Sequence, residues 1–283
     1  MKFLVYMRRK MFRFIKKSSF SALMALLTLS TSYLAAGDCC CPNNRLYIGA
    51  FGGGLYSNQP RITQTGVAFF TEAEGGPLGV NARGHLRKKS SGFGGVQLGY
   101  EWTGCTFLSD FNLSPAVEAE AFWYKHSQKG SLVNDIPVRL EEHDFVDSFK
   151  QTTGVYLVNL LLNLNNCWTG NFTPYIGGGI GAAHVSLKNG RSIQINPPET
   201  VNHFNSDPNY SNWAFAAQAK LGVRYNFCER FHLFAEYRFL FVDTTNYIFG
   251  QTIETGHPVT TSWNVQVRKL YYNAFALGLQ YDL

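Results

Sequence analysis

Two glutamates stand two residues apart in the stretch VEAEAFWY, and such a pair could serve as the acid and base of a hydrolase. On one face of a β-strand, Glu118 and Glu120 would lie roughly 6–7 Å apart. Other segments with the same kind of polar face carry basic residues, among them Lys220 and Arg224. Neighbouring cations keep carboxylates ionised, which makes them poor general acids. We therefore expect an ion-pair network here rather than a catalytic pair.

The predicted network consists of seven charged side chains on the polar faces of their strands. They are Glu101, Glu118, Glu120, Lys220, Arg224, Glu236 and Arg238. Unpaired charges in a narrow interior would be costly, so the four carboxylates and three cations should pair across it. Both a structural polar core and the gate of a small pore are compatible with this pattern.

The histidines provide no sequence signal for a metal site. Five of them lie in or beside long connections: His85, His126, His143, His203 and His257. No two of these have the spacing that zinc ligands usually show along a chain. The sequence therefore predicts neither a bound metal nor another cofactor.

Eight segments of about ten residues alternate apolar and polar side chains with the period of a β-strand. They are 46–56, 93–103, 115–125, 153–164, 174–186, 214–227, 231–241 and 269–283. A transmembrane β-strand needs about 9–11 residues. The polar faces mix glycine with charges of both signs, which suits a narrow lumen. The segment 153–164 is rich in leucine and also fits a buried helix, but we interpret it as a strand because strands flank it.

The connections between these segments alternate in length. Long ones are 57–92, 126–152, 187–213 and 242–268, and short ones are 104–114, 165–173 and 228–230. This alternation is typical of up-and-down barrels with short periplasmic turns and long extracellular loops. The sequence therefore predicts an all-β fold, an eight-stranded antiparallel up-and-down transmembrane β-barrel in one domain.

The first 36 residues have the features of a secretory signal peptide. They carry seven Lys and Arg and no acid, followed by the apolar run FSALMALLTLSTSYLAA. We expect a signal peptide at 1–36, a cysteine-rich periplasmic leader at 37–45 and a barrel at 46–283. Without residues 1–36, 18 Lys and Arg stand against 19 Asp and Glu, so nucleic acid is a poor candidate partner.

Several stretches resemble the small outer-membrane β-barrel family of opacity and OmpA-type proteins. They are RLYIGAFGGGLY, FGGVQLGYEW, TPYIGGGIGAA, AAQAKLGVRYNF and LFAEYRFL, followed by the terminal strand. The most specific pieces are PYIGGGIG and AEYR. The resemblance implies a protein in the outer membrane of a Gram-negative-type cell, in contact with lipid and lipopolysaccharide. It also implies a cluster of charges in the lumen that acts as a plug or a gate.

The chain ends in LYYNAFALGLQYDL, which alternates to its last residue. One face of this strand would carry Tyr271, Phe275, Leu277, Leu279, Tyr281 and Leu283. The resemblance implies that the barrel-assembly machinery reads this strand and that the strand closes the barrel onto the first one. Members of the family usually end on Phe or Trp, so Leu283 is a departure that weakens the signal.

We expect a surface-exposed protein without enzymatic activity, which contributes to envelope structure and binds a host surface ligand through its loops, as an adhesin does. A small low-conductance porin is the first alternative, and it would be favoured by ten or more strands, with 60–92 hiding two, because the lumen would then be open. The second is a lipid A deacylase, because some of these barrel enzymes place a His and a Ser two residues apart near the outer end of a strand, as in His184 and Ser186. An acid positioned to orient His184 would favour that enzyme.

Six cysteines are predicted to lie on the periplasmic side. They are Cys39, Cys40 and Cys41 after the signal peptide and Cys105, Cys167 and Cys228 in the short turns. The periplasm is oxidising, which favours disulfides. Three consecutive cysteines cannot readily reach three turns spread around a rim, because a disulfide needs Cα atoms within about 7 Å. Some of the six should therefore bond to other cysteine-containing envelope proteins.

We predict that the native protein runs partly as disulfide-linked multimers on non-reducing gels of freshly isolated, thiol-blocked envelopes. Replacing Cys39, Cys40 and Cys41 with Ser should greatly reduce these multimers, because the thiols that cannot all pair within the chain are then gone. A monomer-only band from the wild-type envelopes would contradict the prediction. Mass-spectrometric detection of lipid on Cys39 would replace it with a membrane-anchor role.

Overall fold

The computed structural model describes residues 44–102, 105–108, 111–134, 143–166 and 169–283, without the side chains of 105–108, 111 and 166. The expected signal peptide and most of the cysteine-rich leader lie outside these residues. The described chain forms antiparallel strands in one sheet and a short 3-10 helix at Glu72–Glu74. Within this part of the chain, no helix is long and apolar enough to cross a membrane.

Fourteen strands are found in the described residues. In chain order they are β1 Arg45–Ser57, β2 Arg61–Ala68, β3 Leu78–Leu86, β4 Ser90–Glu101, β5 Cys105–Leu108, β6 Phe111–Val133, β7 Asp144–Asn166, β8 Phe172–Asn196, β9 Pro198–Asn202, β10 Tyr210–Asn226, β11 Phe231–Val242, β12 Thr245–Phe249, β13 Trp263–Val267 and β14 Leu270–Asp282.

Eight of these strands form a closed ring, in which each strand pairs with two antiparallel neighbours. The order around the ring is β1, β4, β6, β7, β8, β10, β11 and β14. The last strand, β14, pairs with β11 on one side and with β1 on the other, from Tyr47↔Asp282 to Ser57↔Tyr272. The final strand of the chain thus closes the ring onto the first.

The all-β, antiparallel, up-and-down fold expected from the sequence is confirmed. Each alternating segment overlaps one strand of the ring, and 153–164 is part of β7 rather than a helix. The long connections differ from the expectation because they are not simply loops. The strands β6, β7 and β8 reach 23, 23 and 25 residues, and five further strands form inside the connections. The short connection 104–114 also contains a strand, β5.

Glycines on the inward face of the ring make room for two tyrosine rings. A Cβ atom at Gly99 would overlap the Tyr47 ring, and one at Gly222 would overlap the Tyr175 ring. Both tyrosines are buried in the interior. A larger residue at either glycine would displace a ring, so the mixture of glycine and charge on the polar faces has a packing reason.

The outward face of the ring carries an apolar belt. Large exposed apolar side chains occur on all eight strands, for example Ile48, Leu98, Trp123, Leu160, Ile180, Leu221, Phe239 and Leu277. A typical soluble monomer does not expose apolar surface on this scale. Lipid offers no hydrogen bonds to backbone groups. In a closed ring these groups are already paired with one another, so the ring is compatible with a lipid environment.

The ring has a proximal end, where Arg45 and Leu283 lie, and a distal end opposite to it. At the distal end β3 pairs with the last residues of β6, β2 pairs with β3, and β13 lies between β2 and β12. We call β2, β3, β9, β12, β13 and the distal ends of β6, β7 and β8 the distal wall. Its interior is largely apolar and buries Ile62, Leu78, Leu86, Phe145, Phe204, Phe249 and Trp263.

Three fully buried polar side chains, Gln64, Asp147 and Ser192, meet inside the distal wall. Ser192 Oγ donates to Gln64 Oε1 at 3.0 Å, and with the Gln64 amide turned over its nitrogen would instead donate to Asp147 Oδ1 at 3.0 Å. Burial raises the pKa of Asp147 to about 7, and its hydrogen bond to Ser192 only partly offsets the loss of water. Between about pH 4 and pH 7 the folded protein therefore keeps a proton on Asp147 that an ordinary aspartate of the unfolded chain releases.

We predict that the distal wall loses stability as the pH rises from about 4 to about 7, by as much as about 4 kcal/mol. The reason is that the unfolded state binds fewer protons than the folded state in this range. Hydrogen exchange of amides in 145–149 and 191–194, corrected for intrinsic rates, measures the effect. Asp147→Asn should remove it, whereas Asp207→Asn, at an exposed carboxylate, should not. If the stability of the distal wall changes with pH in the same way in wild type and in Asp147→Asn, then Asp147 is not the cause of the change.

Candidate functional site

The lumen contains all seven charged residues that the sequence singled out. None of them is more than 5% exposed: Glu101, Glu118, Glu120, Lys220, Arg224, Glu236 and Arg238. They project inward from β4, β6, β10 and β11, which are spread around the ring. The structure thus brings these residues into one interior, as two clusters at different levels.

Lys220 is the centre of the larger cluster. Its Nζ lies 2.7 Å from Glu118 Oε1, 2.9 Å from Glu120 Oε2 and 3.4 Å from Glu236 Oε1. Glu118 and Glu120 belong to β6, whereas Lys220 belongs to β10, and these strands are not neighbours in the ring. One ammonium group therefore links distant strands across the lumen.

Arg238 is the second cation of this cluster. It forms an ion pair with Glu120, and its Nε donates to Glu236 Oε2 at 2.6 Å. Its guanidinium also lies over the Phe51 ring, with Cζ 4.1 Å from the ring centroid. Such a cation–π contact is favourable when both partners are desolvated. Phe51 in turn makes edge-to-face contacts with three further buried rings, Phe93, Phe122 and Phe234.

Neutral side chains add hydrogen bonds to the carboxylates of the larger cluster. Tyr47 donates to Glu118 Oε2 at 3.1 Å, and Tyr175 donates to Glu236 Oε1 at 2.7 Å. Asn159 donates to Glu118 Oε1 at 3.2 Å. Selection by charge missed both tyrosines, although they stand on inward-facing positions of β1 and β8. The alternation of side chains along a strand would have identified both tyrosines as inward-facing, because each lies an even number of residues from other buried positions of its strand.

A smaller cluster lies at the proximal end. Glu101 Oε2 accepts from Arg224 Nη1 at 3.0 Å and from Arg45 Nε at 2.7 Å. Arg45 Nη1 also pairs with Asp282 Oδ1 at 2.8 Å, and His232 Nε2 lies 2.9 Å from Asp282 Oδ2. The sequence analysis missed Arg45, because it placed this residue in the leader before the first strand. Glu101 therefore does not depend on Arg224 alone.

The two charged clusters can hold strands of the ring together and obstruct the lumen. An eight-stranded ring has an interior just wide enough for side chains to fill. Here the charged clusters and the ring of phenylalanines occupy it, and the apolar interior of the distal wall continues above them. Glu118 and Glu120 both contact Lys220, so neither is arranged as a general acid.

The residues predicted as an assembly signal lie on the outward side of β14 or just after its end. They are Tyr271, Phe275, Leu277, Leu279, Tyr281 and Leu283. The residues between them, such as Tyr272, Ala274 and Ala276, are buried in the lumen. The alternation of this strand therefore has a structural reason, and recognition by the assembly machinery stays a prediction.

The candidate deacylase pair does not form a catalytic arrangement with an acid. The His184 ring packs against Trp213, with ring centroids 4.8 Å apart. Among the described residues, no carboxylate lies within ion-pair distance of His184. The acid that would orient His184 towards Ser186 is thus not provided by this part of the chain.

The cysteines are only partly described. Cys228 is exposed in the turn between β10 and β11 and has no disulfide partner among the described residues. Cys105 begins β5, so it opens a strand in a connection that was expected to be a plain turn. The other four, Cys39, Cys40, Cys41 and Cys167, lie outside the described residues. Cross-linking through these thiols stays a prediction.

A second site, which the sequence analysis did not anticipate, lies at the distal end. Glu199 of β9, His203 just after it and His257 between β12 and β13 line a pocket of about 220 Å³. His143 and Trp263 line the same pocket. Burial lowers the pKa of His203 to about 4, so its imidazole is neutral at physiological pH. Spacing along the chain held no signal for this cluster, because folding of the distal wall brings its members together.

No protein-family model matches the chain. Curated relatives include uncharacterized proteins of Brucella abortus, Brucella suis and Brucella melitensis, each 29% identical to this chain over 102 residues. The matched stretch covers 36% of this chain and 34% of each relative, so the chain spans about a third of the length of these relatives.

Solved structures similar to this chain are small outer-membrane β-barrel proteins. Neisserial surface protein A has a TM-score of 0.35 at 12% identity, with 86% of this chain and 100% of that chain covered. The outer membrane protease OmpT from Escherichia coli has a TM-score of 0.41 at 10% identity, covering 90% and 100%. OprG from Pseudomonas aeruginosa has a TM-score of 0.41 at 13% identity, covering 83% and 97%. The strand pairing described above establishes the fold independently of these similarities.

We predict that Lys220→Met lowers the free energy of unfolding by about 3–5 kcal/mol, because three buried carboxylates lose their common cation. Arg224→Ala should cost less, about 1–3 kcal/mol, because Arg45 still pairs with Glu101.

Urea unfolding in lipid vesicles, followed by tryptophan fluorescence, measures both losses. Lys188→Met, at an exposed lysine of β8, is the control and should change the stability by no more than about 0.5 kcal/mol. A loss for Arg224→Ala as large as that for Lys220→Met would argue against the two-cluster arrangement.

Proposed function

We propose that the protein is an integral outer-membrane β-barrel with a closed lumen, which acts at the cell surface through its distal wall in an adhesin-like role. The eight strands of the ring span the membrane where they carry the apolar belt, which is their contact with lipid and lipopolysaccharide, and the distal ends of β6, β7 and β8 lie outside it. The proximal end faces the periplasm, and the distal wall faces the outside of the cell.

The observation that carries this proposal is the filled interior. The lumen charges are buried and paired with one another, and aromatic rings pack against them. A porin needs a continuous aqueous path, whereas ions crossing this lumen would have to displace Lys220 and Arg238 from their carboxylates. The small porin is therefore the weaker alternative.

The distal end supports the surface role. Large apolar side chains are exposed there although they lie beyond the belt, namely Phe69, Ile253 and Val259. Phe69 N donates to Val259 O at 2.8 Å, so two of these residues are adjacent. Exposed apolar residues at the far end of an extended wall suit contact with a protein or cell surface.

The remaining partners follow from this placement. The outward face of β14 is the surface that the barrel-assembly machinery would read during insertion. Cys228 is exposed, and we expect its thiol to face an oxidising periplasm in which it could bond to other envelope proteins. An enzymatic role as a lipid A deacylase is disfavoured, because no described carboxylate orients His184.

Conductance in a planar lipid bilayer tests the closed lumen. Folded protein should give no stable ion-conducting steps, since the lumen side chains block the path. Folding is checked by gel mobility: a closed barrel stays compact in cold detergent and shifts only after boiling. Regular steps from protein that passes this check would support the porin alternative instead.

Attachment of whole cells tests the surface role. A non-adherent Gram-negative bacterium that expresses the protein should attach to cultured epithelial cells more than its vector control. Changing Phe69, Ile253 and Val259 together to Ser should remove most of this gain, since these side chains are exposed. Lys88→Ser, at another exposed distal residue, is the matched control. Equal attachment by the Ser variant and wild type would rule out these residues as the contact.

A further inference from the structure

We propose that Glu199, His203 and His257 bind one Zn²⁺ ion in the distal pocket. This inference goes beyond the surface role, because it assigns a ligand to residues that the adhesin-like function does not use. Two imidazoles and one carboxylate form a donor set that zinc accepts, with a fourth position left for water.

The positions of the donor atoms fit such a site. His203 Nε2 and His257 Nε2 each lie 3.8 Å from an oxygen of Glu199, on Oε2 and Oε1 respectively. All three donor atoms lie within 4.8 Å of one another. Ligands of a tetrahedral zinc at its usual bond lengths are about 3.4 Å apart. Small side-chain rotations would therefore close the site around the ion.

Hydrogen bonds orient both imidazoles for coordination. His203 Nδ1 lies 3.1 Å from Ser192 O, and His257 Nδ1 lies 2.7 Å from Pro258 O. A carbonyl oxygen can only accept, so each Nδ1 carries the proton and donates it. Each Nε2 then carries the lone pair that a metal needs, and it lies 3.8 Å from an oxygen of Glu199. Backbone carbonyls commonly hold zinc-binding histidines in this way.

Packing keeps the cluster in place. The His203 ring is in contact with Phe145 and Trp263, at centroid distances of 5.2 Å and 5.8 Å, and is 5.3 Å from the His257 ring. His203 is buried, whereas the side chain of Glu199 is 31% exposed. The site thus combines one rigid ligand with a route for an ion to enter from solvent.

The donor set selects the kind of metal. Calcium and magnesium prefer several oxygen ligands, and this cluster offers only one carboxylate. Imidazole nitrogens favour zinc and its neighbours among the transition metals. The ion would tie β9 to the connection between β12 and β13, two parts of the distal wall that meet at the pocket.

Zinc titration of the folded, full-length protein in detergent tests the proposal. The protein must carry no histidine tag, and its thiols must be alkylated, so that neither a tag nor a cysteine competes for the metal. We expect one equivalent of Zn²⁺ to bind. Glu199→Gln and His257→Ala, at partly exposed positions, should each weaken binding at least about tenfold. His85→Ala, at an exposed distal histidine outside the pocket, should leave the affinity unchanged.

Cobalt provides an independent readout. Co²⁺ bound by wild type should show the visible absorption of a four-coordinate site, and Glu199→Gln should lose it. The mobility check in cold detergent confirms that every variant is folded. Absence of a saturable equivalent in wild type, or equal affinity in Glu199→Gln and His85→Ala, would overturn the proposal. Neither result would affect the attachment and conductance tests, which do not depend on zinc.

Discussion

Closure of eight strands into one ring is the constraint on which the other features of the structure depend. Each ring strand is paired on both sides, and β14 completes the circle by joining β1 to β11. Backbone groups are therefore satisfied within the ring, and its outer face is free to be apolar. The same closure leaves an interior only wide enough for side chains. The side chains at the inward positions must therefore fill that space and be compatible with burial.

The interior meets this requirement with paired charges rather than with an apolar core. Lys220 contacts three carboxylates, and Arg238 uses both an ion pair and a phenylalanine face. Buried ion pairs are weak evidence for stability, because desolvation offsets much of their attraction. Their value here is better understood as specificity: a shift of β10 by one residue would turn Lys220 outward and leave Glu118 without its cationic partner.

The described chain has two parts with different interiors, the ring and the distal wall. Inside the apolar belt, paired charges and phenylalanine rings occupy the interior of the ring. Beyond the belt, additional strands enclose a second, apolar interior, with a pocket at its far end that exposes Glu199 and His257.

The sequence by itself determined the strands of the ring and their faces, but not the further strands inside the connections. Leu277, Gly278 and Leu279 alternate because a strand projects successive side chains to opposite sides, which is a local property of the backbone. For the same reason all seven charges could be assigned to one interior.

Tertiary structure alone decided which groups meet. Strand register brings Lys220 to Glu118 and Arg45 to Glu101, and folding of the distal wall brings Glu199 to His257. These contacts join residues far apart in the chain, and a periodic pattern contains no information on the register between separate strands.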